Sequence, residues 1–206
     1  MSLTFYFAPM STAGITELVL EELGVPHERV TLDISKGETK RPEYLAVNPN
    51  GRVPCIVHDG TAVWESAAVT IYLGETFGVE RSLFPPPGPR RGEAMKWIVW
   101  TNVTLGDAVG RYIRNTTHWY PDDQKNPKAG EAAQRDITDC LNVLDQGLAG
   151  KQYLAGDYTL ADTHVAAFSE WLRHLKFDFT PFRNVGAWSE RCCARPAFKK
   201  VLPTAM

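Results

Sequence analysis

Three short clusters in the first third of the chain bring hydroxyls, a carboxylate and a cation together with turn residues. The first is Pro9-Met10-Ser11-Thr12, where an apolar strand pattern gives way to a helical one. A hydroxyl at a helix N-terminus ordinarily caps the helix. The chemical reading is that it donates a hydrogen bond to a thiolate held there, because unpaired backbone N–H groups and the positive end of the helix dipole favour an anion. No general base lies nearby in sequence to make Ser11 itself a nucleophile. The second cluster is Asn48-Pro49-Asn50-Gly51-Arg52-Val53-Pro54. A proline opening a short strand suits a cis bond, which would leave Val53 with backbone groups free to pair with an extended peptide. The plain alternative is a tight loop without a ligand. The third is Trp64-Glu65-Ser66, a carboxylate and a hydroxyl at a helix start that also suits an incoming carboxylate; its plain alternative is an N-cap with an exposed acidic neighbour.

The elements that must position these clusters follow from period. Leu3 to Phe7 is a short apolar and aromatic run and reads as a strand. Ile15, Leu18, Val19 and Leu23 fall three to four apart on one helical face, and Gly24 and Pro26 stop that helix. Arg29 to Leu32 reads as a second strand, giving a right-handed parallel strand–helix–strand unit. A polar stretch from Asp33 to Asn50 follows. Pro54–His58 and Ala62–Trp64 are two strands joined by the hairpin signal Asp59-Gly60. Ser66 then caps a helix that ends near Gly78. A proline- and arginine-rich linker spans about residues 81–92, and beyond it four helices are expected: Glu93–Thr116, Glu131–Leu148, Leu160–Leu175 and Val185–Cys193, with Pro121 and Pro127 breaking the chain between the first two. The fold class is therefore an α/β domain over residues 1–80 (βαβ-ββα, a mixed four-stranded sheet) and an all-α domain over residues 93–206.

Composition narrows the function. The 206 residues, 44% hydrophobic and 22% charged, have the balance of a folded globular protein. A net charge of -2 provides no basic footprint for nucleic acid and no polybasic patch for a membrane. No run approaches the roughly 20 apolar residues of a bilayer-spanning helix, and the N-terminus lacks secretory-signal features. Cys55, Cys140, Cys192 and Cys193 show no metal-ligand or Cys-x-x-Cys spacing, and the five histidines show none either. A reduced cytoplasmic protein with no metal is the simplest reading, so sequons at Asn102 and Asn115 carry no weight.

In their order and spacing, Pro-Met-Ser-Thr, Asn-Pro-x-Gly-x-Val-Pro and Glu-Ser, followed by Gly156-Asp157-Tyr158-Thr159-Leu160-Ala161-Asp162, resemble the soluble glutathione transferases over nearly the whole chain. The first half is similar to their thioredoxin-like domain and the second to their helical domain. The resemblance implies that Ser11 stabilises the glutathione thiolate, as in serine-type members of the phi and theta classes, with Thr12 and Tyr6 as alternates. It implies that Val53, before a cis Pro54, binds the cysteinyl backbone, with Arg52 beside it. Glu65 would meet the γ-glutamyl ammonium, Ser66 its carboxylate, and Lys40 the glycyl carboxylate. Thr39 stands where the phi pattern has histidine. A cysteine-type chemistry does not fit, because Ser11 occupies that position. Thr159 and Asp162 read as a capping box rather than as chemistry.

The energetics suffice without a metal. Lowering a thiol pKa of about 8.5 by two units needs about 2.7 kcal/mol. A hydrogen bond to the anion supplies on the order of 1.5–3 kcal/mol and a helix N-terminus about 0.3–1 more. The resemblance further implies a homodimer and an electrophile pocket between the domains, for which Met10, Arg111, Tyr112 and Trp119 are the candidates, while Trp97 and Trp100 read as packing. Conjugation to a hydrophobic electrophile is the leading activity. Glutathione-dependent dehalogenation, ether cleavage or isomerisation, and a non-enzymatic binding module, are the alternatives.

Overall fold

A computed structural model describes residues 2–205. The first half builds a mixed four-stranded sheet in the order β2-β1-β3-β4. β1 (Leu3–Phe7) buries Leu3, Phe5 and Phe7 on one face, as period-two alternation requires. α1 (Ala13–Leu23) turns Ile15, Leu18, Val19 and Leu23 inward, and Gly24 ends it in the left-handed conformation, its N–H closing on Leu20 and Glu21 carbonyls. β2 (Glu28–Thr31) then pairs with β1 in parallel, one residue earlier than its sequence pattern indicated. The polar stretch is not featureless: a 3₁₀ turn at Glu38–Lys40 and a single helical turn, α2 (Pro42–Leu45), occupy it. β3 (Cys55–His58) and β4 (Thr61–Trp64) are antiparallel to their neighbours. Asp59 and Gly60, with φ of 45° and 84°, make the tight turn between them. α3 (Ser66–Leu73) runs on through a π turn to Gly78.

The second half is helical and packs directly on the first. α4 (Pro89–Trp100) starts inside the stretch expected to be linker, because a proline is well suited to the first helical position, where its missing N–H has no partner to lose. Nor is the preceding segment loose: Phe84 is buried against Gly74, where any Cβ would strike its ring. The expected helix from Glu93 to Thr116 is two helices joined by a π turn at Thr101–Leu105, the second being α5 (Gly106–Thr116). α6 (Pro127–Gly147) begins at a proline expected to lie outside it. α7 (Leu160–His174) is buried nearly all round and opens with the Thr159–Asp162 capping box; Asp162 also accepts from Leu154 N–H and Trp188 Nε1. α8 (Arg183–Cys193) makes no cap of its own. Asp145 of α6 accepts from its Asn184 and Val185 N–H groups at 2.8 and 3.1 Å. α9 (Pro196–Ala205) was not expected from sequence; Pro196, a residue that reads as the end of a helix, begins this one.

α1 lies between the halves. It packs against α3 on one side and against α7 and α9 on the other. Glu22 near its end takes a two-pronged hydrogen bond from Arg195 and one from the Tyr158 hydroxyl. No helix among the described residues is long and apolar enough to cross a membrane.

Candidate functional site

At the N-terminal end of α1, the loop before β3 and the start of α3 enclose a polar cavity of about 180 Å³. Six of the residues singled out in the sequence line it: Thr12, Arg52, Val53, Pro54, Glu65 and Ser66. The Val53–Pro54 bond is cis. The loop is held rigid from behind. Asn48 Nδ2 and the Tyr44 hydroxyl both donate to the Arg52 carbonyl, at 2.7 and 2.6 Å, and Asn48 Oδ1 accepts from Asn50 N–H. Gly51, at φ 57°, lies so near the Thr39 carbonyl and the Lys40 ammonium that a Cβ there would come within 2.7 Å of each.

The hydroxyls at the start of α1 differ in what they do. Ser11 donates to the Ala8 carbonyl at 2.6 Å and accepts from Ala13 N–H. Its only hydrogen is thereby taken by the turn that launches the helix, and Ser11 does not line the cavity. Thr12 does, and its hydroxyl reaches the Val53 carbonyl only at 3.4 Å, a weak contact readily exchanged for a better acceptor. Tyr6 is turned to the other side of the sheet region. It packs on Tyr44 at 5.3 Å and lines a separate pocket with Leu32 and Arg41.

Lys40 stands below the cavity and donates to the Asn50 and Gly51 carbonyls at 3.1 and 2.8 Å. An ammonium has three donors, so one remains for a ligand. Glu65 is exposed, with a φ of 72° that a non-glycine residue adopts at a cost of about 1–3 kcal/mol. Ser66 is the first residue of α3 rather than its cap; its hydroxyl accepts from Asn102 Nδ2 at 2.8 Å. Arg52 is exposed and forms no ion pair among the described residues.

Three asparagines line this cavity, Asn48, Asn50 and Asn102, to which the sequence reading gave no binding role: the first two stood only as part of the loop motif and Asn102 only as a sequon. Asn102 arrives from the helical half, in the π turn between α4 and α5. The one available signal was a polar residue of weak helix propensity in the apolar run from Ile98 to Val103.

The residues expected to take the second substrate do not share one wall. Arg111 is corrected: it is held in two ion pairs, to Asp107 and Asp136 at 2.8 Å, in a groove with Trp100, Val103 and Val143 that contains no cavity residue. Tyr112 packs on Phe177, and Trp119 meets Trp171 edge to face at 6.1 Å. Met10 is exposed just before α1, at φ 54°. The thiols stay protonated near neutral pH. Burial pushes Cys55 up to about 11 and Cys193 up to about 12, and raises Cys140 and Cys192 as well. Among the described residues, no group of three or more His, Cys, Asp or Glu side chains is arranged to hold a metal ion.

Comparison with known proteins bears on the family and the fold. Residues 10–76 match the model of the glutathione S-transferase N-terminal domain, and residues 111–196 that of the glutathione S-transferase C-terminal domain. The chain is 31% identical over 188 residues to glutathione S-transferase GstB of Escherichia coli K12, covering 90% of this chain and 89% of that protein. Among solved structures it is similar to glutathione transferase URE2P6 of Phanerochaete chrysosporium in complex with oxidized glutathione, at 28% identity and a TM-score of 0.90, over 98% and 95% of the two chains. The fold is shared at a TM-score of 0.91 with a glutathione transferase homologue of Lodderomyces elongisporus carrying two glutathione molecules per subunit, at 24% identity and full coverage of both chains.

Proposed function

The chain belongs to the glutathione S-transferase family, and from that premise we propose that it binds glutathione in the cavity at the start of α1, holds its sulfur as the thiolate, and adds it to a hydrophobic electrophile. The observation that carries this reading is the set of groups lining one small cavity: a loosely held hydroxyl at a helix start, Val53 before its cis proline, and a carboxylate beside a hydroxyl at Glu65 and Ser66. Those groups match a γ-glutamyl peptide end to end. Glu65 takes the ammonium, Ser66 and the α3 start take the adjacent carboxylate, Val53 pairs with the cysteinyl amide, and Lys40 with Arg52 faces the glycyl carboxylate.

Within that site Thr12, not Ser11, is the donor to the thiolate. The Ser11 hydrogen already serves Ala8, whereas Thr12 faces the cavity with its hydroxyl weakly engaged. This moves the chemistry by one residue from the serine-type phi and theta pattern. The electrophile approaches from the side of Met10, which is exposed immediately before the start of α1. Dehalogenation, ether cleavage and isomerisation draw on the same thiolate and differ only on that side. The proposed partner is a second copy of the chain, seated on the exposed Val99 of α4, Val103 of the π turn and Val143 of α6.

The test is an ultraviolet difference titration of glutathione on the protein across pH. A saturable thiolate band appearing about two pH units below the ionisation of free glutathione supports binding and activation together. Saturable binding without the band would leave a glutathione-binding module. No binding at all would overturn the reading.

A further inference from the structure

Behind Ser66 lies a line of hydrogen bonds that crosses from one half of the molecule to the other and back. Thr70 Oγ1 of α3 meets His164 Nδ1 of α7 at 2.9 Å, His164 Nε2 meets Asn102 Oδ1 at 2.8 Å, and Asn102 Nδ2 meets Ser66 Oγ at 2.8 Å. Thr70 and His164 are fully buried and Ser66 nearly so. Burial pushes the imidazole pKa down to about 3, so His164 is neutral, with one N–H and one lone pair.

Such a line can run in two directions only. Running outward, the Thr70 hydroxyl donates to Nδ1, Nε2–H donates to the Asn102 carbonyl oxygen, and the Asn102 amide donates to Ser66 Oγ. The Ser66 hydrogen is then free for the cavity. Running inward, Ser66 donates to Asn102 and presents only lone pairs to a ligand. The two directions are not equivalent. Thr70 Oγ1 has no partner other than His164 among the described residues, so the inward direction would leave a buried hydroxyl hydrogen with no acceptor. The outward direction gives the Thr70 and His164 hydrogens their acceptors and leaves only the Ser66 hydrogen, at the cavity, without one.

We propose that Asn102, oriented by His164 and Thr70, is a positioning residue that fixes the Ser66 hydroxyl as an outward donor and so makes this corner of the cavity selective for a carboxylate. The inference rests on the glutathione reading and names what selects the γ-glutamyl carboxylate within it. The π turn has a part in this, since it brings Asn102 into the line from the middle of the helical rod.

The experiment is calorimetric binding of two unreactive peptides, S-methylglutathione and its counterpart with 4-aminobutanoyl in place of γ-glutamyl, which lacks only the α-carboxylate. In Asn102→Asp, a side chain of the same shape accepts from Ser66 instead of donating to it. We expect S-methylglutathione to bind about tenfold to a hundredfold more weakly, the carboxylate-free peptide to be unaffected within about twofold, and the loss in turnover to fall on KM for glutathione rather than on kcat. Repeating the substitution in Ser66→Ala separates an effect through the hydroxyl, which then vanishes, from direct repulsion of the ligand by the new charge, which persists and would overturn the proposal. Asn102→Ala, carrying no charge, should show a severalfold loss for S-methylglutathione alone, and serves if the Asp variant does not fold. Equal weakening of both peptides, or unchanged binding of both, overturns the proposal while leaving the glutathione site in place; a wild-type protein that binds neither peptide overturns both.

Discussion

Two adjacent hydroxyls at the start of α1 show how much one residue of register decides. Ser11 closes the turn that begins the helix, and Thr12 faces the cavity. Thr12→Ala should therefore raise the pKa of bound glutathione by about one to two units, the range set by one hydrogen bond to an anion, with its affinity nearly kept. Ser11→Ala should leave that pKa in place and lower stability by about 0.5–2 kcal/mol, as loss of a helix-start hydrogen bond does. Difference spectra and urea unfolding on the two variants would separate these outcomes, and a pKa rise confined to Ser11→Ala would return the role to Ser11. The cluster itself was legible in sequence because hydroxyls after Pro9 mark a helix start. Which hydroxyl is free depends on the position of the Ala8 carbonyl, and no local pattern contains that.

At the scale of elements, strand alternation and helical period located the four strands of the mixed sheet and their succession along the chain, and the Thr159–Asp162 box located the start of α7. Among the helices expected, the starts that moved furthest are those where proline begins a helix instead of ending one, at Pro89 and Pro127, ahead of the expected Glu93 and Glu131. The π turn was not legible, since a register change inside a helix has no signature in the helical period of Glu93–Thr116. Buried polar residues were equally hidden: His164 lies in a run that reads as a plain apolar helix face. Its burial has a consequence for pH. The folded pKa is lowered from 6.5 to about 3, so between those values the unfolded chain takes up a proton that the folded one excludes. The corresponding stability is complete above about pH 6.5 and declines as pH falls; at about pH 5 the loss is on the order of 2 kcal/mol. His164→Gln has no such proton to take up. Between about pH 7 and pH 5 the wild type should lose about 2 kcal/mol more than the variant in urea unfolding, and equal losses would contradict the assignment.

At the scale of the whole molecule, the exposed valines of α4, the π turn and α6 are a departure from a self-sufficient surface. Val103 and Val143, 68% and 48% exposed, line a groove of about 400 Å³, and Val99 is 44% exposed. If a second copy covers them, sedimentation at micromolar protein will report a dimer and Val103→Glu a monomer with an unchanged far-ultraviolet spectrum. A wild-type monomer would refute the pairing. The cavity's own composition, by contrast, draws on both halves of one chain, since Asn102 comes from the second.

The cap that α6 provides for α8 bears on the order of assembly. The first amides of α8 are held by Asp145, which reaches them only once α6 has taken its final place. The segment from Arg183 to Cys193 therefore has little reason to be helical by itself, and its formation waits upon a helix some forty residues earlier in the chain. The Asn184 and Val185 amides should exchange with solvent deuterium only in openings that also release α6, and Asp145→Ala should free them to exchange through local fraying instead.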